Sequence, residues 1–196
     1  MAVIMPYITD KYTAYMGDVI SGDLSLAVWI IDDYTKKGPI GHIKVNIKEG
    51  DITPVRNLSG YFIFTDLKDG NYTVSIESDL YFSEERLIDL SSIPDPKKPV
   101  IEISVIPKPA YPFRNNATLV RGLVVSNANP VVNAQVKAIE KGVQTLTDNN
   151  GEFALYLQGN KTESITIEIE KNGNTKTVTT IIEEGKGVSL QSISFP

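Results

Sequence analysis

The sequence predicts an all-β protein built as two tandem Greek-key β-sandwiches. Three observations predict it. Short apolar–polar alternations recur between turn residues, almost no stretch carries a helical period, and the chain repeats itself at an offset of 91 residues. The 196 residues leave room for two domains of about 100 residues each.

The repeat has three anchors in one register. Residues 39–47 overlie 130–138, residues 57–62 overlie 148–153, and Val74 and Ile76 overlie Ile165 and Ile167. The first copy holds more aromatics, because Tyr61 gives way to Glu152 and Tyr72 to Glu163.

The elements follow in order. Residues 24–31 read as a strand, followed by a polar loop over 32–39. Ile43, Val45 and Ile47 form one apolar face of a second strand, and residues 61–64 form a third. Asp69-Gly70 signals a turn before the alternating Tyr72, Val74 and Ile76, and residues 100–106 close the first unit. The second copy repeats the plan with strands expected at 118–125, 134–139, 152–157, 163–170, 175–182 and 188–195.

Pro94, Pro96 and Pro99 read as a loop inside the first unit, since the strand after them completes its sheet. Pro107, Pro109 and Pro112 mark the better junction, an extended and fairly stiff one that gives the two units a preferred orientation. The expected division is an N-terminal arm at 1–20, a first sandwich at 21–107, a proline-rich junction at 108–112 and a second sandwich at 113–196.

Composition narrows the function. Apolar residues at 41% and charged residues at 22% exclude a disordered chain. A net charge of -5 argues against a general nucleic-acid binder. The absence of cysteine excludes disulfides, thiolate catalysis and cysteine-ligated zinc, and the single His42 excludes a multi-histidine metal site. Residues 1–107 carry 10 basic and 16 acidic side chains, for -6, whereas 108–196 carry 9 and 8, for +1. The two surfaces therefore face different neighbours.

The first residues are apolar but lack the basic start and the length of a signal peptide. The longest apolar run elsewhere, residues 26–31, falls far short of the roughly 20 residues of a membrane span. The expected location is the cytoplasm or a particle released by a non-classical route.

The second copy carries Val120-Arg121-Gly122-Leu123-Val124, then Pro130-Val131-Val132-Asn133-Ala134-Gln135-Val136, then Thr147-Asp148-Asn149-Asn150-Gly151-Glu152-Phe153. It resembles the carboxypeptidase regulatory-like domain, a transthyretin-like seven-stranded β-sandwich. In that family a glycine usually stands where Asn133 does, and asparagine replaces glycine best at positive φ. The first copy resembles the family more loosely, through Asn57, Gly60 and Phe62 and through Leu67-Lys68-Asp69-Gly70-Asn71-Tyr72-Thr73-Val74. The resemblance implies two tandem Ig-like/transthyretin-like sandwiches. It brings no function, since such modules serve as spacers, adhesion parts, assembly parts and carbohydrate-contacting accessories.

Asp148 and Asn57 are expected to open structural turns, with Gly151 and Gly60 in conformations closed to other residues and Phe153 and Phe62 dropping into the cores. Asp148, Asn150 and Glu152 also carry the oxygen spacing of a calcium loop. The twelfth position is Gly159 and the sixth is Phe153, so a plain turn is preferred. His42 projects away from the apolar face of its strand, and no nucleophile elbow exists. The adjacent pairs Glu84-Glu85 and Glu183-Glu184 look like rim residues that face opposite ways. No catalytic residue, metal site or cofactor is expected.

Aromatics weigh more. Tyr81, Phe82 and Tyr111 lie outside the second core, and two adjacent residues cannot both be buried on one regular strand, so part of this group is expected at a surface that contacts protein or glycan. The competing expectation is that such rings fill the first core. Beyond Met1, residues 1–16 include Tyr7, Tyr12 and Tyr15 among eight large apolar or aromatic side chains, with only Asp10 and Lys11 charged. Such an arm should dock on a sheet edge of its own or another subunit.

The leading expectation is a non-catalytic structural or assembly module with a protein partner or a homo-oligomer. The alternative is a carbohydrate-binding or adhesive accessory module.

Overall fold

A computed structural model describes residues 7–8, 13–14, 22–95, 97–158 and 162–196. β1 (Tyr7–Ile8) pairs antiparallel with β2 (Thr13–Ala14). The rest of the expected arm, including Tyr12 and Tyr15, lies outside the described residues.

The first sandwich opens with β3 (Leu24–Asp32), which sends Leu26, Val28, Ile30 and Asp32 to its inner face. β4 (Ile43–Ile47), β5 (Val55–Arg56), β6 (Phe62–Thr65), β7 (Asn71–Ser78), β8 (Glu84–Asp89) and β9 (Val100–Val105) complete it. One sheet has the order β5-β6-β3-β9 and the other β4-β7-β8. β9 lies parallel to β3, and every other pair in this sandwich is antiparallel. Leu26, Ile47, Phe64, Val74, Ile76 and Ile103 fill the space between the sheets.

The second sandwich repeats the plan. β10 (Thr118–Ser126) pairs with β11 (Asn129–Pro130), with β14 (Glu152–Leu157), and in parallel with β17 (Gly187–Ser189) and β18 (Ile193–Ser194). The facing sheet has the order β13-β12-β15-β16, formed by β13 (Val143–Leu146), β12 (Gln135–Ala138), β15 (Glu163–Lys171) and β16 (Asn174–Ile182). Val120, Phe153, Leu155, Ile165, Ile167 and Ile169 centre its core. Each half thus places its first strand between a middle strand, β6 or β14, and its last, as Greek-key crossovers between two sheets require.

One strand changes sheets between the copies. β5 joins β6 in the sheet of β3, whereas β13 joins β12 in the opposite sheet. The strand expected at 188–195 is two short pieces, because residues 190–192 step out of the ladder between β17 and β18. The strand expected at 134–139 ends at Ala138, where a single 3₁₀ turn (Ile139–Lys141) runs into Gly142 at φ +64°. β8 and β13 have no counterpart in the sequence reading. β8 is a charged edge strand whose one buried residue is Ile88, so it lacks apolar alternation.

The two expected turns are built alike. Asp148 Oδ1 accepts from the amides of Asn150 and Glu152, at 2.8 and 2.9 Å, and Asn57 Oδ1 accepts from the Tyr61 amide at 2.9 Å. In both, the glycine amide donates back to the carbonyl of the turn's first residue. Gly60 and Gly151 stand at φ +92° and +77°, and a Cβ on Gly151 would meet the Val124 carbonyl at 2.5 Å. Asn133 stands at φ +53°.

A second repeated device was not expected. Glu49 Oε2 accepts from the Thr73 amide at 2.7 Å, and Glu140, its equivalent at the 91-residue offset, accepts from the Thr166 amide at 2.8 Å. These backbone donors hold both carboxyls below the ordinary carboxylate value.

Candidate functional site at the junction of the sandwiches

The most constrained chemistry in the molecule surrounds Asp32, at the inner end of β3. The inward parity of Leu26, Val28 and Ile30 also turns Asp32 inward, and its side chain is fully buried. Oδ1 accepts from the amides of Tyr34 and Thr35, at 2.8 and 3.3 Å, which folds the loop back on itself. Oδ2 accepts from the hydroxyls of Tyr81, at 3.1 Å, and Tyr111, at 2.6 Å. Four donors thus occupy the carboxylate, the full capacity of its two oxygens.

Tyr81 and Tyr111 reach Asp32 because residues 80–82 and 106–108 pair. The Phe82 amide donates to the Ile106 carbonyl, the Lys108 amide to that of Leu80, and Tyr81 bridges Pro107. A turn from Lys108 to Tyr111 then brings the second ring alongside the first, at 5.5 Å between centroids. The Tyr81 hydroxyl also accepts from the Ile40 amide at 3.0 Å. Burial, before any other cause, raises both phenols above the ordinary tyrosine value; for Tyr111 the bond to Asp32 comes next.

This arrangement corrects the expectation of exposed aromatics. Tyr81, Phe82 and Tyr111 are all buried, and Tyr81 is at 0% exposure. Neighbours can both be buried here because Tyr81 and Phe82 lie on an isolated bridge, where strand alternation does not apply. The junction 108–112 lies against the first sandwich, with Pro107, Pro109 and Tyr111 buried.

Tyr34 carries the contact across the junction. Its ring meets those of Tyr111, Phe113 and Tyr156 edge-on, at 5.7, 5.1 and 4.4 Å, and its hydroxyl accepts from the Arg114 amide. Tyr156 belongs to β14 of the second sandwich. From β10, Arg121 lays its guanidinium over Phe113 at 5.5 Å and donates Nη1 to the Pro109 carbonyl at 2.9 Å. Aromatic edges and a cation–π contact therefore tie the two cores to one polar centre.

The other candidates lie apart. Tyr7 is in β1. His42 is exposed just before β4, and its carbonyl accepts from the Ser78 hydroxyl. Glu84 and Glu85 sit side by side on β8 and face opposite ways, and Glu85 pairs with Lys48. Glu183 pairs with Lys186. Asp66 Oδ1 accepts from the Asp23 amide, and Asp69 is exposed. Among the described residues, no three acidic, histidine or cysteine side chains converge as metal ligands would. Among the described residues, no helix is long and apolar enough to cross a membrane.

Sequence reasoning missed Asp32, Tyr34, Arg121 and Tyr156. The one available signal was parity, which puts Asp32 on the face of Val28 and Ile30; a polar loop reading over 32–39 hid it.

No family model matches the chain, and no curated protein matches it. Among solved structures, the Bacillus anthracis TIE protein is similar over 88% of this chain and 34% of its own, with 15% identity and a TM-score of 0.31. The chain thus spans about a third of that protein's length.

Proposed function

We propose that the chain is a non-catalytic structural module whose two sandwiches form one stiff unit for contacts with other protein subunits, further copies of itself included. The observation that carries this reading is the Asp32 centre, where groups from residues 32, 81 and 111 are bonded together and Tyr34 reaches Tyr156. Protein chains default to relative domain motion unless the interface resists it. Burying a carboxylate with four donors at that seam supports orientation rather than chemistry, since Asp32 is fully buried and both its oxygens are occupied.

The division into an arm at 1–20 and sandwiches at 21–107 and 113–196 is part of the same proposal, with the arm as the subunit contact. The kinship of both sandwiches to carboxypeptidase regulatory-like domains is supported by the paired Asn57 and Asp148 turns and by the positive φ of Asn133.

Multi-angle light scattering on the full chain and on a deletion of residues 2–16 tests the reading. The full chain should show a mass above the monomer that the deletion reduces, with β circular dichroism retained. ¹⁵N relaxation should give both sandwiches one tumbling time. A full-length monomer whose halves tumble independently would overturn the proposal.

A further inference from the structure

Between the sandwiches lies a cleft of about 560 Å³, within the roughly 300–1,000 Å³ typical of small-molecule sites, which favour seams between domains. Asp79, Ser83 and Lys108 line it from the first sandwich and its junction; Asn133, Asn149 and Asn150 line it from the second. Phe82 and Leu146 supply its smaller apolar part.

The backbone behind these groups is already organised. The Asp148 carboxylate takes the amides of Asn150 and Glu152, which sets the positions of Asn149 and Asn150. Asn133 donates its amide to the Thr147 carbonyl, and Thr147 is itself fully buried, donating to the Val131 carbonyl. Lys108 Nζ is engaged by the Ser78 carbonyl at 2.7 Å. The carboxamides of Asn133, Asn149 and Asn150, the Asp79 carboxylate and the Ser83 hydroxyl make up the polar lining.

We propose that this cleft binds a neutral oligosaccharide. Three carboxamides, a carboxylate and a hydroxyl present donors and acceptors side by side, and sugar hydroxyls use both at once. Asp79 and Asp148 offset Lys108 and the Lys171 ammonium on the Asn133 carbonyl, so the cleft carries no excess positive charge to draw phosphate or carboxylate ligands. A peptide side chain needs a dry apolar anchor pocket, and this lining is mainly polar. Because the Tyr81–Asp32 bond fixes the segment carrying Phe82 and the Asp148 turn fixes Asn149 and Asn150, little ordering cost attends binding. The site is independent of the assembly role, and either can fail alone.

The test is ¹H–¹⁵N NMR of the full chain titrated with maltotriose, cellotriose, mannotriose and chitotriose, each to about 10 mM. At least one should shift the amides of Ser83, Asn133, Asn149 and Asn150 saturably. Asn150→Ala and Asp79→Ala should each raise Kd about tenfold, while Lys176→Ala on exposed β16 leaves it unchanged. The variants' own spectra report whether they remain folded. No saturable shift with any of the four sugars, shifts confined to other surfaces, or equal affinity in folded cleft variants would each overturn the proposal.

Discussion

The Tyr111 hydroxyl donates to Asp32 Oδ2 at 2.6 Å across 79 residues of chain. That bond closes the first core around a polar atom and sets the segment that leads into the second. Leaving a buried acceptor short of a donor costs more than the bond contributes when made. Tyr111→Phe should therefore lower stability in urea by about 1–3 kcal/mol. A loss below about 0.5 kcal/mol would show that water reaches the carboxylate.

The same phenols predict alkaline behaviour. Their folded pKa values lie above the ordinary tyrosine value, so the stability they contribute is full below about pH 10 and is lost as pH rises further through the folded values. Ultraviolet titration should show Tyr81 and Tyr111 ionising only as the fold opens. Tyr81→Phe with Tyr111→Phe should remove that late phase.

On the acid side the sign reverses. Glu49 and Glu140 are held below the ordinary carboxylate value, so what they contribute is present above it and disappears as pH falls through their folded values. Replacing both with Gln should flatten the loss of melting temperature below about pH 4.3. A curve with unchanged slope would rule these tethers out as contributors.

Gly122 and Phe153 form a tight pair: a Cβ at 122 would lie 2.6 Å from the Phe153 ring. Gly122→Ala should cost about 1–3 kcal/mol through overpacking, and Phe153→Ala about 3–5 kcal/mol. The double variant should cost less than the sum, because removing the ring removes the clash. Additive losses in denaturant unfolding would contradict the pairing.

The turn glycines should rank by what surrounds them. Gly173, at φ +80° with open space around it, should lose only about 1–2 kcal/mol as Ala. Gly60 would meet the tip of the Trp29 side chain at 3.1 Å, and Gly151 would meet backbone at 2.5 Å. Gly151→Ala should be the most destabilising of the three, and thermal melts of the single variants would expose any other order.

By itself the sequence determined the all-β class, the two-copy plan and the turns at Asn57 and Asp148, because alternation and turn chemistry are local and the 91-residue register repeats them. Val74 with Ile76, and Ile165 with Ile167, carry their burial in their spacing. Edge strands such as β8 escaped, since Glu84, Glu85 and Arg86 face solvent and need no apolar partner. The junction was decided by tertiary structure alone. Tyr81 and Tyr111 looked like surface rings because nothing near them in sequence accepts a phenol; Asp32, 49 and 79 residues away, does so only once β3 and the paired segments 80–82 and 106–108 are in place. A buried polar centre is a non-local object, and its members carry no mutual spacing that a single strand period could reveal.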